Sequence, residues 1–168
     1  MTNLPIVPSA SQARACGACS LCCDLFPVPE LMKDAGEPCR HCNPPHGCGI
    51  HATRPAVCRS FDCAWLRGHG RLEDRPDRTG VFVAGTAILA GRKGTLCYGL
   101  AESADSHLTT LTEMARRTNH PVFLLIPPRP GDAFGGLVTC ETTGEVRWTA
   151  EPVERFSWRN ARPAEPIL

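Results

Sequence analysis

The chain has 168 residues, enough for one ordinary domain or for a small domain with an appendage. Its 18 basic and 17 acidic side chains leave a formal net charge of +1, which gives no electrostatic ground for nucleic acid or an anionic membrane as partner. No apolar run approaches the roughly 20 residues of a membrane helix, since the longest, Pro121 to Pro128, is proline-bounded and strand-sized.

The opening MTNLPIVPSASQARA, residues 1–15, has neither a basic leader nor a continuous apolar segment. It reads as a flexible N-terminus and not as a signal peptide, so a reducing cytoplasm is the expected compartment. Cysteine usage then departs from the ordinary: nine of the eleven cysteines lie between Cys16 and Cys63. In a reducing compartment such clustering points to metal or redox chemistry more than to stable disulfides.

Residues 16–67 read as short helices and loops punctuated by Pro27, Pro29, Pro38, Pro44 and Pro45. PELMKDAG suits a short helix closed by Gly36. RPAVCRSFDCAWL, from Arg54, suits a second helix with Pro55 in its first turn and Val57, Phe61 and Trp65 as one stripe. Between Cys16 and Arg75 only 12 of 60 positions carry a large apolar side chain, against 24 of 80 between Val81 and Asn160. The second stretch supplies a core; the first needs help to offset its ordering entropy. Bound metal is the natural supplement, because structural zinc contributes roughly 10–16 kcal/mol to small peptides.

Residues 68–79 alternate in charge and read as a solvated linker. Within residues 80–160, GVFVAGTAILA and TLCYGLA are strand candidates joined by the turn Gly91-Arg92-Lys93-Gly94. That turn lacks the longer spacing and the Ser/Thr of a phosphate-binding loop. SHLTTLTEMARRT reads as a helix with Leu108, Leu111 and Ala115 on one face and Ser106 as cap. PVFLLIP, GGLVTCE and EVRWTA follow as strands, the last two hinged at Thr143-Gly144. The tail, 161–168, reads as loose. The predicted class is α+β: a small cysteine-rich, metal-ordered N-terminal region, then a small α+β unit with a mainly antiparallel sheet.

Zinc and iron–sulfur clusters both take thiolate ligands, and a C-x-x-C loop delivers two sulfurs from one turn of backbone. Cys16-x-x-Cys19 and Cys39-x-x-Cys42 are separated by 19 residues, a zinc-like spacing. Cys16, Cys19 and Cys22 also form C-x-x-C-x-x-C, the start of a ferredoxin-type run, though Asp24 replaces its usual proline end. Cys22 and Cys23 are adjacent, and neighbouring helical side chains diverge by roughly 100°, which argues against their sharing one small ion. The metal candidates are Cys16, Cys19, Cys22, Cys23, Cys39, Cys42, Cys48, Cys58 and Cys63, enough for two four-cysteine sites with one spare. The contiguous triplet exceeds what one zinc needs and favours an iron–sulfur cluster. Cys97 and Cys140 lie in strand candidates and read as buried hydrophobes.

The string C-x-x-C-x-x-C-C over 16–23, then Cys39 and Cys42, C-G-I-H from Cys48 and R-P-A-V-C-R-S-F-D-C-A-W from Arg54, resembles the CxxCxxCC cysteine-cluster proteins. These are described as zinc- or iron-chelating domains. The resemblance covers roughly residues 16–67, implies that the motif cysteines are metal ligands, and leaves the metal and residues 80–168 undecided. Some larger proteins with such a cluster are flagellin lysine methylases, but no segment here is assignable to a methyl donor.

Around the cysteines, His41, His46 and His51 read as supporting or surface groups, since the thiols already oversupply a site. Arg54 and Arg59 flank Cys58, where a guanidinium would stabilise a thiolate site of about two net negative charges. Asp24 and Asp62 read as capping or solvated carboxylates. His69, His107 and His120 have no constellation around them. The expected function is binding zinc or an iron–sulfur cluster in a structural, metal-handling or electron-transfer role. The alternative is a protein-modifying or redox enzyme that uses the cluster, although residues 80–168 present no recognisable acid–base or nucleophile set.

Overall fold

The computed structural model describes residues 14–61, 63–100, 104–129, 131–132 and 134–152. The start of the chain, Asp62, the Ser106 side chain and the tail at 161–168 therefore lie outside the described residues.

Five strands form one sheet in sequence order: β1 (Val81–Leu89), β2 (Arg92–Gly99), β3 (Val122–Ile126), β4 (Phe134–Cys140) and β5 (Val146–Pro152). Three of the four pairings are antiparallel; β2 and β3 alone run parallel. A parallel neighbour cannot be reached by a tight turn, and the crossover is made by helix α4 (Ala104–Thr118). The architecture is α+β with a mixed, mainly antiparallel sheet. The first hairpin reverses at Ala90 and Gly91, at φ 47° and 76°, two residues earlier than the expected turn. Paired left-handed residues match strand twist best, so Arg92, Lys93 and Gly94 stay in β2 opposite Leu89, Ile88 and Ala87.

Alternation along the strands sorts their side chains onto two faces. Val81, Cys97, Val122, Leu124, Ile126, Val138 and Cys140 join Leu111 and Ala115 of α4 in one buried core. Leu108 packs against it, so the expected helix face is the one used, and Cys97 and Cys140 are fully buried there. At the entry to this layer the His107 ring lies against Gly80, where the chain has φ +69° and a Cβ would collide with the imidazole.

The opposite face carries Phe82, Ala84, Leu96, Tyr98 and Leu125, and the cysteine-rich segment covers it. Helix α1 (Leu21–Leu25) presents Leu21 and Leu25, four residues apart and therefore on one side, and Phe26 follows directly. The Phe26 ring sits 4.4 Å from Phe61 and edge-on to Phe82 at 4.9 Å and Tyr98 at 5.3 Å. The few apolar groups of this segment thus complete the second face of the sheet instead of forming a core of their own.

Two expected helices are shorter than their patterns suggest. Helix α2 covers only Ala56–Ser60; Phe61 is extended at ψ 102°, and Phe61 and Trp65 reach the sheet from irregular chain while Val57 does not. PELMKDAG forms a single 3-10 turn, Pro29–Leu31, ended by Met32 in the left-handed region at φ 52°. Residues 68–79, expected as a linker, hold a second 3-10 turn (Leu72–Asp74) and helix α3 (Pro76–Thr79), with Pro76 buried. Their alternating charges meet each other and α4: Arg75 pairs with Asp77 at 2.6 Å, and Asp74 with Arg117 at 3.6 Å.

Candidate metal centre

Local backbone explains how thiols from four segments come together. Both C-x-x-C loops close on themselves, with Cys19 N–H donating to the Cys16 carbonyl at 2.8 Å and Cys42 N–H to Cys39 at 2.9 Å. Cys39 N–H donates to the Cys23 carbonyl at 3.1 Å, which ties the second loop to α1. Cys42 and Cys48 face each other across an isolated antiparallel bridge. Between them the chain turns at Gly47, φ +79°, where any side chain would strike the Gly17 carbonyl; glycine is what lets this loop lie on the first one.

The product is a cavity of about 90 Å³ lined by Cys16, Cys19, Cys22, Cys23, Cys39, Cys48, Cys58 and Cys63. Cys42, the ninth candidate, reaches the group through a thiol hydrogen bond with Cys23, which is also bonded to Cys22. The helical divergence expected for Cys22 and Cys23 therefore does not keep them from one cavity. Phe61, Trp65, Leu66 and Phe82 wall the cavity on the sheet side. All eleven cysteines are free. Among the described residues, no three His, Cys, Asp or Glu side chains converge closely enough to hold a single metal ion.

Burial makes several of these thiols harder to ionise. Burial lifts Cys19 to about 11 and Cys42 to about 12, and it raises Cys16, Cys48 and Cys58 in the same direction. Cys23 is pushed far up, first by its hydrogen bond with Cys22 and then by burial. Crowded thiols that resist ionising alone are the groups a cation ionises, because positive charge favours the thiolate and metal binding releases the proton. The donor set is all soft sulfur, which fits zinc or an iron–sulfur cluster and fits a hard oxygen-seeking cation poorly.

Charged groups around the thiols fall differently from the sequence reading. Arg54 lies close enough to Cys16 and Cys48 to pull both toward ionisation, as the flanking-guanidinium argument expects. Its guanidinium is steadied by the His51 carbonyl at 2.7 Å and the His51 ring at 2.9 Å. His51 thus supports an arginine at the rim, while Arg59 and His46 are exposed and the His41 ring accepts from Arg40 at 3.4 Å. Asp24 is half-buried, its carboxyl raised by that burial and partly restored by Lys33.

Two residues escaped sequence reasoning. Asp77 of α3, in the expected linker, hydrogen-bonds the Cys19 thiol and is held low chiefly by Arg75. Lys33 is only 5 % exposed, and its ammonium donates to the carbonyls of Phe26 at 2.7 Å, Asp34 at 2.9 Å and Asp24 at 3.5 Å. Nothing in the pattern around a single lysine marks it as internal.

Fold and site together define an α+β protein with a cysteine-lined cavity walled by its own sheet. No family model, no curated protein and no solved structure matches the chain. No helix among the described residues is long and apolar enough to cross a membrane.

Proposed function

We propose that this is a metal-binding protein of a reducing, cytoplasmic environment whose clustered cysteines hold an iron–sulfur centre, with zinc as the competing occupant. The observation that carries the reading is that eight thiols from four separated stretches of chain line one cavity. Unrelated buried thiols have no reason to meet in this way.

Nine candidate thiols exceed the four that one zinc ion takes, and the contiguous Cys16, Cys19 and Cys22 triplet has the spacing of a ferredoxin-type run, which favours the cluster over a single ion. Metal ordering also answers a local deficit: from Arg40 to Phe61 only Gly47 is buried, yet this stretch contains Cys42, Cys48 and Cys58. Ahead of Phe61, none of its side chains joins either apolar core, so thiolate–metal bonds are its natural anchor. When bound, an iron–sulfur centre supplies one-electron chemistry; a zinc ion supplies cross-linking alone. The motif resemblance over residues 16–67 supports metal binding and leaves the metal open.

The test is metal and acid-labile sulfide analysis of protein purified without oxygen. Brown protein with iron and sulfide is expected; colourless protein with zinc selects the competitor. Cys19→Ala and Cys23→Ala should lower metal content, whereas Cys97→Ala and Cys140→Ala, in the α4 core, should leave it intact. Wild-type protein that is empty after anaerobic purification and anaerobic reconstitution removes the proposal.

A further inference from the structure

Helix α4 packs over β3 and β4, so on the same side of the sheet β1 and β2 are left to the segment that runs from Ala64 to Thr79. The two coverings do not close on each other. A second cavity of about 250 Å³ remains between them, and no cysteine lines it. Its floor is Val81, Val83 and Thr95. One wall is α4, where Thr110, Met114 and Arg117 stand at four- and three-residue intervals and so share a face. The opposite wall is Trp65 and the turn that follows it. Arg14 braces that wall: its guanidinium donates to the carbonyls of Trp65 at 2.9 Å, His69 at 2.7 Å and Gly70 at 2.9 Å, and lies 5.1 Å from the indole centre. The indole N–H donates to the Arg71 carbonyl at 3.0 Å. The wall is thus fixed by hydrogen bonds before anything enters.

Two polar groups at this cavity are left without hydrogen bonds. Thr95 shares the strand face of Cys97, two residues on, and lines the floor at only 4 % exposure. Its hydroxyl makes no hydrogen bond among the described residues, although the large majority of buried polar atoms make one. At the rim, Arg117 stands 3.6 Å from the Asp74 carboxylate, beyond hydrogen-bond length. Asp74 is already held by the Arg71 main-chain N–H at 2.8 Å and by the Arg71 guanidinium at 3.5 Å, and Glu113 pairs with the same guanidinium at 3.8 Å. The acceptors of the rim are occupied and the Arg117 donors are not.

We propose that this cavity binds a small aromatic carboxylate, with its ring between Trp65 and Met114, its carboxylate on Arg117 and a polar group at the far end of the ring on the Thr95 hydroxyl. An indole and a thioether on facing walls favour an aromatic ring over an aliphatic chain. A cavity of about 150 Å³ holds benzene, so this one takes a ring with one short acid arm. The guanidinium selects the charged end, because its N–H fork matches a carboxylate. The inference goes beyond the metal-binding reading and stands apart from it, since its residues include none of the thiols.

The experiment titrates the full-length reduced protein with 4-hydroxyphenylacetate by isothermal calorimetry, with metal content measured on the same sample. Saturable one-to-one binding with Kd below about 1 mM is expected for a ligand of this size. Arg117→Gln, at an exposed position, should weaken it about tenfold, the weight of a lost hydrogen bond to a charged group. The uncharged 4-hydroxyphenylacetamide should bind wild type about tenfold more weakly than the acid. Thr95→Val should weaken 4-hydroxyphenylacetate about fivefold and leave phenylacetate, which lacks the hydroxyl, unchanged. Because no internal hydrogen bond is lost, the urea midpoint of ligand-free Thr95→Val should stay at or above that of wild type. A lowered midpoint would show that the hydroxyl serves the fold, and it overturns the inference. So does the absence of saturable binding up to about 10 mM, an amide that binds as tightly as the acid, or an affinity that Arg117→Gln leaves unchanged. Each of these results leaves the metal reading standing.

Discussion

Replacing Phe26 by alanine tests whether the cysteine-rich segment and the sheet are one folding unit. The ring is 2 % exposed and touches three other aromatic rings, two of them on strands β1 and β2. Emptying such a site costs about 3–5 kcal/mol, and lost edge-to-face contacts of about 0.5–1.5 kcal/mol each place it toward the upper end. Against a net stability of about 5–15 kcal/mol that is a large fraction. The assay is urea unfolding of reduced, metal-free protein, followed by far-ultraviolet circular dichroism for the sheet. Tryptophan fluorescence in a Trp148→Phe, Trp158→Phe background reports the Trp65 region. With a urea slope of about 2 kcal/mol per molar, the midpoint falls by about 2 M, and both signals move together. A shift below about 0.5 M, or fluorescence moving while circular dichroism stays, would refute the shared core.

Gly80→Ala forces a left-handed residue to carry a Cβ into the His107 ring, and it should cost about 2 kcal/mol or more, lowering Tm by about 4–8 °C in differential scanning calorimetry. An unchanged Tm would show that the ring simply moves aside. Glu141 is held down to about 2, first by its hydrogen bond with Arg92 and further by Arg147. A depressed carboxyl stabilises above its unfolded value near 4.5 and loses that contribution as pH falls toward about 2. Glu141→Gln should therefore differ most from wild type above pH 5 and converge with it near pH 2 in urea midpoints. His107 is buried and its pKa is lowered by that burial, so the unfolded chain binds the extra proton and stability rises with pH up to about 6.5. His107→Leu should flatten that slope just below pH 6.5; an unaltered slope would assign it to another group.

Strand β3 was legible because PVFLLIP is a proline-bounded apolar run of strand length, and α4 because Leu108, Leu111 and Ala115 hold a helical interval. Four-residue spacing misled at Val57, Phe61 and Trp65: the interval is real, but the chain leaves the helix at Ser60 and the aromatic rings are captured by the sheet. Local pattern has no access to such distant partners, and the 12 large apolar residues of the first stretch read as a deficit for the same reason. They are few, yet several of them meet Phe82 and Tyr98 across the sheet. For the candidate centre, the gathering of thiols was visible in spacing alone. The surrounding charges were not. Asp77 sits in a charge-alternating stretch that looks solvated, and Lys33 turns inward only because Met32 adopts a conformation that residue type does not announce.

The sheet's two faces are covered by unlike materials, a regular helix on one and the thiol-bearing chain on the other. A fragment begun at Arg75 would carry Phe82, Leu96, Tyr98 and Leu125 into water as a greasy, sticky slab. The cysteines cannot be shed as a detachable module, nor the strands kept as a bare scaffold. Whatever strips the thiol-bearing chain from the sheet bares those rings to water, so the cysteine segment and the solubility of the strands are inherited as one trait.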